Sequence, residues 1–172
     1  MAPYFRIFPY NQFTMKTLFT TLITVVFLVS CGNQTAEKTE SKEPTADQLA
    51  IEQVIQNGYI SGLQNDGDSV KIDQNFHPQF EMIGHADDGS LWKRPIAQWR
   101  DRQIERRGNG ELPNEGDELI SGEFEFIDVT QDVAVAKLHY YKGERLAYTD
   151  LISLYKINGE WRIVSKVFTT IE

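Results

Sequence analysis

Residues 149–168 read TDLISLYKINGEWRIVSKVF. β-Branched and aromatic residues crowd both sides of Asn158-Gly159. That dipeptide favours a two-residue hairpin turn, because both central positions of such a turn need positive φ. Working back from it, a period of two runs from Leu119 to the end. The pattern predicts four strands at about 118–129, 132–141, 144–157 and 160–170, linked through Thr130-Gln131, Lys142-Gly143 and Asn158-Gly159.

The half before Leu119 has the other period. Thr45 and Gln48 fit a capping box behind Pro44. Ile51, Val54, Ile55, Gly58, Tyr59, Gly62 and Leu63 follow helical spacing on one face, and the two glycines leave room for a close neighbour. Asn65-Asp66-Gly67-Asp68 stops this helix. It lacks the ligand spacing of a calcium loop, and Asp68 suits the cap of a short second helix to about Asn75. A strand over Gln79–His85, a turn over His85–Ser90 and a return through Leu91-Trp92-Lys93 follow. Pro95 then opens a third helix to about Arg107, with Ile96, Trp99, Gln103 and Ile104 inward. Helices first and a meandering antiparallel sheet after them give an α+β order.

Tight turns fix the register. One face then carries Val135, Lys137, His139, Leu146, Tyr148, Asp150, Ile152, Leu154, Trp161, Ile163 and Val167, with Phe124 and Phe126 joining it if the Thr130-Gln131 turn is short. On this reading Asp150 and Lys137 are diagonal neighbours within reach of a salt bridge. Ala134, Ala136, Leu138, Tyr140, Leu151, Tyr155, Val164 and Phe168 form the other face, which is equally apolar. Both faces are expected to be covered, the first by the helices and the second by another copy of the chain, by long loops or by the amino-terminal segment.

Asp150, Lys156, Ile157, Gly159, Trp161, Ile163, Val164, Lys166 and Phe168 carry a resemblance. The closing hairpin resembles that of the nuclear transport factor 2-like superfamily, nearest its putative lumazine-binding branch. A long helix ending in Gly67-Asp68 and Phe76-His77-Pro78 leading into a strand agree with it over roughly residues 46–172. The resemblance implies a cone-shaped, cystatin-like α+β fold with three helices on a curved antiparallel sheet. It also implies a pocket between the two layers, and often a dimer through the outer sheet face. Fold alone does not fix chemistry in so varied a superfamily.

The expected pocket has polar groups from Lys137, His139, Tyr148 and Asp150 and walls from Tyr59, Met82, Trp99, Phe124 and Phe126. Each has a plainer alternative: an ion pair for Asp150 and Lys137, a satisfied strand histidine for His139, core packing for Tyr59 and Trp99. Catalytic candidates are Asp150, His85 and Tyr148. The resemblance places the family's isomerase base near Gly84, where no Asp stands; His85 beside it could serve, or could be a solvated turn histidine. His77, His85 and His139 have no zinc-ligand spacing, so neither metal nor cofactor is expected. Three readings follow: a small organic ligand bound without chemistry, an isomerase or dehydratase of the same fold, or an interaction module with a vestigial pocket.

The amino-terminal stretch addresses location. Met15–Cys31, MKTLFTTLITVVFLVSC, has a basic start, a short apolar run and a Leu-Val-Ser-Cys ending that resembles a bacterial lipobox. Residues 1–30 then form a lipoprotein signal, with translation starting at Met1 or Met15. Cys31, the only cysteine, takes the lipid; residues 31–44 are a polar tether and 45–172 the domain. A secretory signal with a chance cysteine and a short membrane anchor are the alternatives. Removing residues 1–30 takes away Arg6 and Lys16 and no acid, so the 17 basic side chains fall to 15 against 25 acidic, a formal charge of −10. That charge argues against nucleic acid as a partner. Gly32 after the lipidated cysteine favours an outer-membrane, periplasm-facing position in the cell envelope.

Overall fold

The structure, a computed structural model, describes residues 43–171. The expected signal, Cys31 and the expected tether up to residue 42 lie outside them.

The first helix, α1, spans Ala46–Val54. Its capping box forms: Thr45 Oγ1 accepts from the Gln48 N–H at 3.2 Å, and Gln48 Oε1 accepts from the Thr45 N–H at 2.8 Å. The same rod continues over Ile55–Asp66 as a π-helix, longer than the single π-turns usually seen inside α-helices. Ile51, Ile55, Tyr59 and Leu63, four residues apart, are all buried. The neighbour admitted by the two glycines is the second helix, α2 (Ser69–Asn75). A Cβ on Gly58 would strike the Asn75 side chain, and one on Gly62 would lie 2.7 Å from Lys71 Cβ. Gly67, at φ +59°, ends the rod, and Asp68 Oδ1 accepts from the N–H groups of Val70 (2.9 Å) and Lys71 (3.3 Å).

Strand β1 (Phe76–His85) starts three residues earlier than its sequence suggests and pairs with β2 (Leu91–Pro95). The extra residues lie across a register shift between Phe76 and Glu81, where Pro78 needs no ladder hydrogen bond. Helix α3 spans Ile96–Gly108 and buries Ile96, Trp99 and Gln103. Ile104 is 37 % exposed, a correction to its expected inward position. The spacing 96, 99, 103 follows the buried stripe, and residue 104 falls on its flank. Gln103 is satisfied by donating to the Leu63 carbonyl at 2.8 Å.

Four strands complete the sheet: β3 (Ile120–Thr130), β4 (Val133–Lys142), β5 (Arg145–Ile157) and β6 (Glu160–Thr170). Their order is β2-β1-β6-β5-β4-β3. β1 runs parallel to β6 and all other neighbours are antiparallel, so the sheet is mixed rather than purely antiparallel. The β1–β2 hairpin lies on β6, which would otherwise be an open edge.

Side chains tie the helices to the sheet. The Asn65 amide donates to the Ile120 carbonyl at 2.8 Å and accepts from its N–H at 2.9 Å, fixing where β3 begins. At the other end Asp47 accepts from Lys156 Nζ at 2.7 Å and Trp161 Nε1 at 2.9 Å. Those two bonds, Lys156 foremost, hold the Asp47 carboxyl below the usual carboxylate range.

Candidate functional site

Three β-bulges decide which side chains face the helices. The Asn158-Gly159 turn forms as read, with Asn158 at φ +53° and Gly159 at +85°, and pairs Leu154 with Ile163. Beyond Leu154 one extra residue enters β6, so Ile152 meets Lys166 and Asp150 meets Phe168. The neighbouring turn lies at Gly143-Glu144, and a bulge between Tyr140 and Tyr141 makes Leu138 face Asp150. A third bulge separates Phe124, opposite Leu138, from Phe126, opposite Lys137. Each extra residue reverses which face the remaining side chains take.

The sequence-derived pocket is corrected accordingly. Asp150 does face the helices, but Lys137, His139 and Phe126 lie on the convex side. There Glu125 pairs with Lys137 at 2.7 Å and with His139 Nε2 at 3.1 Å, and Phe126 is 44 % exposed. Phe124 packs against the core, while Tyr59, Met82, Trp99 and Tyr148 line a cavity. Ala134, Ala136, Leu138 and Tyr140, assigned to the outer face by the unbulged register, are buried beneath the helices, and Phe168 packs there too. His85 stands exposed at the end of β1, away from the cavity lining.

The partner of Asp150 is Lys166, two residues before Phe168 in the recognised hairpin. Lys166 Nζ donates to Asp150 Oδ1 at 2.7 Å and to Tyr59 Oη at 2.9 Å, and Tyr59 Oη donates to Asp150 Oδ2 at 2.8 Å. Asp150 is fully buried and Lys166 and Tyr59 nearly so. Burial drives the Tyr59 phenol well above its ordinary value, with the adjacent Asp150 charge adding to it. Burial also lowers the Lys166 ammonium, opposed by Asp150. Both carboxylate oxygens of Asp150 are engaged. An ammonium has three N–H donors, and Lys166 Nζ has two hydrogen-bond partners among the described residues.

Aromatic rings run in sequence around this triad. Trp99 to Tyr59, Tyr59 to Tyr140, Tyr140 to Tyr148, Tyr148 to Phe168 and Phe168 to Trp92 are separated by 5.4–6.1 Å between centroids. Lys166 Nζ lies 4.8 Å from the Phe168 centroid and 6.0 Å from that of Trp99. Gly84 lets Trp92 lie flat on β1, since a Cβ there would strike the indole. Arg94 closes one side, 5.6 Å above the Trp92 ring. The rings, Gln64, Met82, Arg94 and Lys166 line a hollow of about 240 Å³ that opens to solvent. That volume equals roughly eight waters of liquid, or one bicyclic heterocycle. Such a chamber can sandwich a planar ring and offer one cationic donor to an acceptor on its edge.

Sequence reasoning missed Gln64, Trp92, Arg94, Tyr140, Lys166 and Phe168 as lining residues. A signal existed for Lys166: Asp150 is an acid inside an apolar strand, and a buried acid needs a cation nearby.

A family model described as "Putative lumazine-binding" matches residues 46–169. Among solved structures, a protein of unknown function from Shewanella baltica, described as NTF2-like, shares 24 % identity at a TM-score of 0.56, covering 75 % of this chain and 98 % of that one. Another NTF2-like protein of unknown function, from Methylobacillus flagellatus, shares 22 % identity at 0.55, covering 76 % and 97 %. A domain of unknown function with a cystatin-like fold from Nostoc punctiforme shares 15 % identity at 0.51, covering 75 % and 80 %. No curated protein matches the chain.

Proposed function

The chain belongs to the putative lumazine-binding family, and on that premise we propose that its domain binds a planar heteroaromatic molecule in the chamber over Lys166. The observation that carries this is the belt of rings closing on a buried ammonium with an uncommitted N–H. Rings stack on rings and exclude water, and a ring carbonyl or ring nitrogen accepts the remaining proton of Lys166. Binding without chemistry suits the triad, because a general base needs a free oxygen and Asp150 has both engaged.

The test uses the full chain in detergent. Titration with lumazine, a bicyclic dione, should release or absorb heat and quench the fluorescence of Trp92 and Trp99. Native mass spectrometry should find a heteroaromatic molecule carried through purification. The absence of both a titration signal and a carried molecule would end the proposal.

Two further parts of the reading concern setting. Lipidation at Cys31 would place the domain in the cell envelope, at the outer membrane facing the periplasm. Labelled palmitate should enter the chain and fail to enter Cys31→Ala. The convex face exposes Phe126, Val133, Leu151, Tyr155 and Val167 by about two fifths each, which fits a second copy of the chain. Sedimentation should give two copies, and Leu151→Asp one; a monomeric parent chain would remove this part.

A further inference from the structure

A second hollow of about 290 Å³ adjoins the aromatic chamber and shares Gln64, Tyr140 and Tyr148 with it. The two tyrosine rings, 5.4 Å apart, form the partition. Tyr140 Oη donates to Gln64 Oε1 at 3.2 Å, which leaves the Gln64 amide N–H groups as donors at the junction. Burial, with Asp150 nearby, keeps the Tyr140 hydroxyl protonated.

The far walls differ in kind from the chamber. Arg106, Lys142 and Arg145 line them against one acid, Glu118. The whole chain has 25 acids to 17 basic residues, so this hollow reverses the sign of the molecule around it. Lys142 pairs with Glu118 at 2.6 Å, and Arg106 with Glu111 at 3.2 Å and Gln103 Oε1 at 3.2 Å. Arg145 stands opposite Lys142 across the Gly143-Glu144 turn and makes no ion pair among the described residues. A planar guanidinium at the rim of a polar hollow suits a carboxylate or a phosphate, which it can hold with two parallel bonds.

We infer that the cleft is built for a two-part ligand: a planar ring in the aromatic chamber and, on a short tether past Tyr140 and Tyr148, an anionic group held by Arg145 with Lys142 and Arg106. This rests on the proposed reading of the chamber. The ring then supplies burial and stacking, and the anion supplies selection among ligands with the same ring. Gln64 lines both hollows, so its amide can hydrogen-bond a polar tether that joins them.

Calorimetry on the full chain in detergent tests this with four probes: lumazine, 8-ribityllumazine, its 5′-phosphate, and a lumazine with a pentanoate chain at the same nitrogen. The anionic tail should tighten binding at least about 5-fold over the ribityl tail at low salt, an advantage that shrinks as salt rises. The two anionic probes show whether phosphate or carboxylate is preferred. Arg145→Gln and Lys142→Gln should erase the advantage while leaving lumazine affinity unchanged, which also reports that the variants fold. If the uncharged probes bind and a charged tail adds nothing, or if its advantage survives both substitutions, the anion site is wrong and the ring site stands. If none of the four binds, both fall.

Discussion

Two ionic clusters sit on opposite faces of the same sheet. On the concave face Asp150 holds Lys166 at 2.7 Å with Tyr59 completing a triad. On the convex face Glu125 holds Lys137, also at 2.7 Å, with His139 as third member. The bonds match in length, but side-chain exposure is 0 % and 6 % for the inner pair against 43 % and 31 % for the outer. Water screens the outer pair and lets its members part at little cost. The inner pair has no water to return to, so either member alone would be an uncompensated charge. Distance therefore says little about what a salt bridge contributes, and the degree of desolvation says most.

The largest expected effect comes from breaking the inner pair. Lys166→Met should destabilise the fold by about 3–5 kcal/mol, read from urea unfolding, because it strands the Asp150 carboxylate. Adding Asp150→Leu should recover part of that loss, since it removes the stranded charge but leaves the buried Tyr59 hydroxyl without its acceptor. A single variant as stable as the parent would mean that Asp150 is hydrated after all.

A smaller effect separates the clusters by pH. Tyr59 and Tyr140 both titrate above the ordinary phenol value of 10.0 in the fold. A raised folded pKa gives stability that is whole below about pH 10 and is lost as pH climbs towards the folded value. Thermal unfolding should show that alkaline decline, and Tyr140→Phe, which keeps the ring, should make it shallower. An unchanged slope would place the Tyr140 hydroxyl in water. Glu125 behaves oppositely: the bond from Lys137 lowers its carboxyl, so its contribution is present above about 4.5 and lost as pH falls. Glu125→Gln should therefore lower the unfolding midpoint only slightly at neutral pH, because water screens the pair, and the difference should vanish as pH falls below about 4.5. A clear loss at neutral pH would erase the contrast between the two faces.

Much of the fold is local chemistry and could be read from the chain. Thr45 with Gln48, Asp68 at a helix start, and Asn158-Gly159 each act within four residues, so their neighbours in sequence are their partners in space. Gly58 and Gly62 announced a close neighbour, and α2 fills that place. The site was harder to read because it depends on three one-residue offsets. None carries its own sequence signature: the extra residues, Glu125, Ala147 and Val164, resemble ordinary strand residues. A bulge there serves the curvature of a sheet wrapping its helices, which is a property of the closed structure. Parity held from each turn as far as the first bulge. Leu154 and Ile163 were therefore placed correctly, whereas Lys137 and Phe168 exchanged faces. Asp150 survived because its own strand's alternation, unbroken from Asp150 to Leu154, set it beside Ile152 and Leu154. The parallel β1–β6 pair was missed because it joins segments some eighty residues apart with no turn to mark them.

The clasp of Asp47 on Lys156 and Trp161 has a mechanical consequence. A pull on the chain ahead of Glu43 enters through the first turn of α1. The Asp47 carboxylate ties that turn to the β5–β6 hairpin, ahead of the π-wound rod. Tyr59 lies three turns further on, so fraying of the leading end meets a side-chain tie to the sheet before it reaches the residue that bonds Asp150.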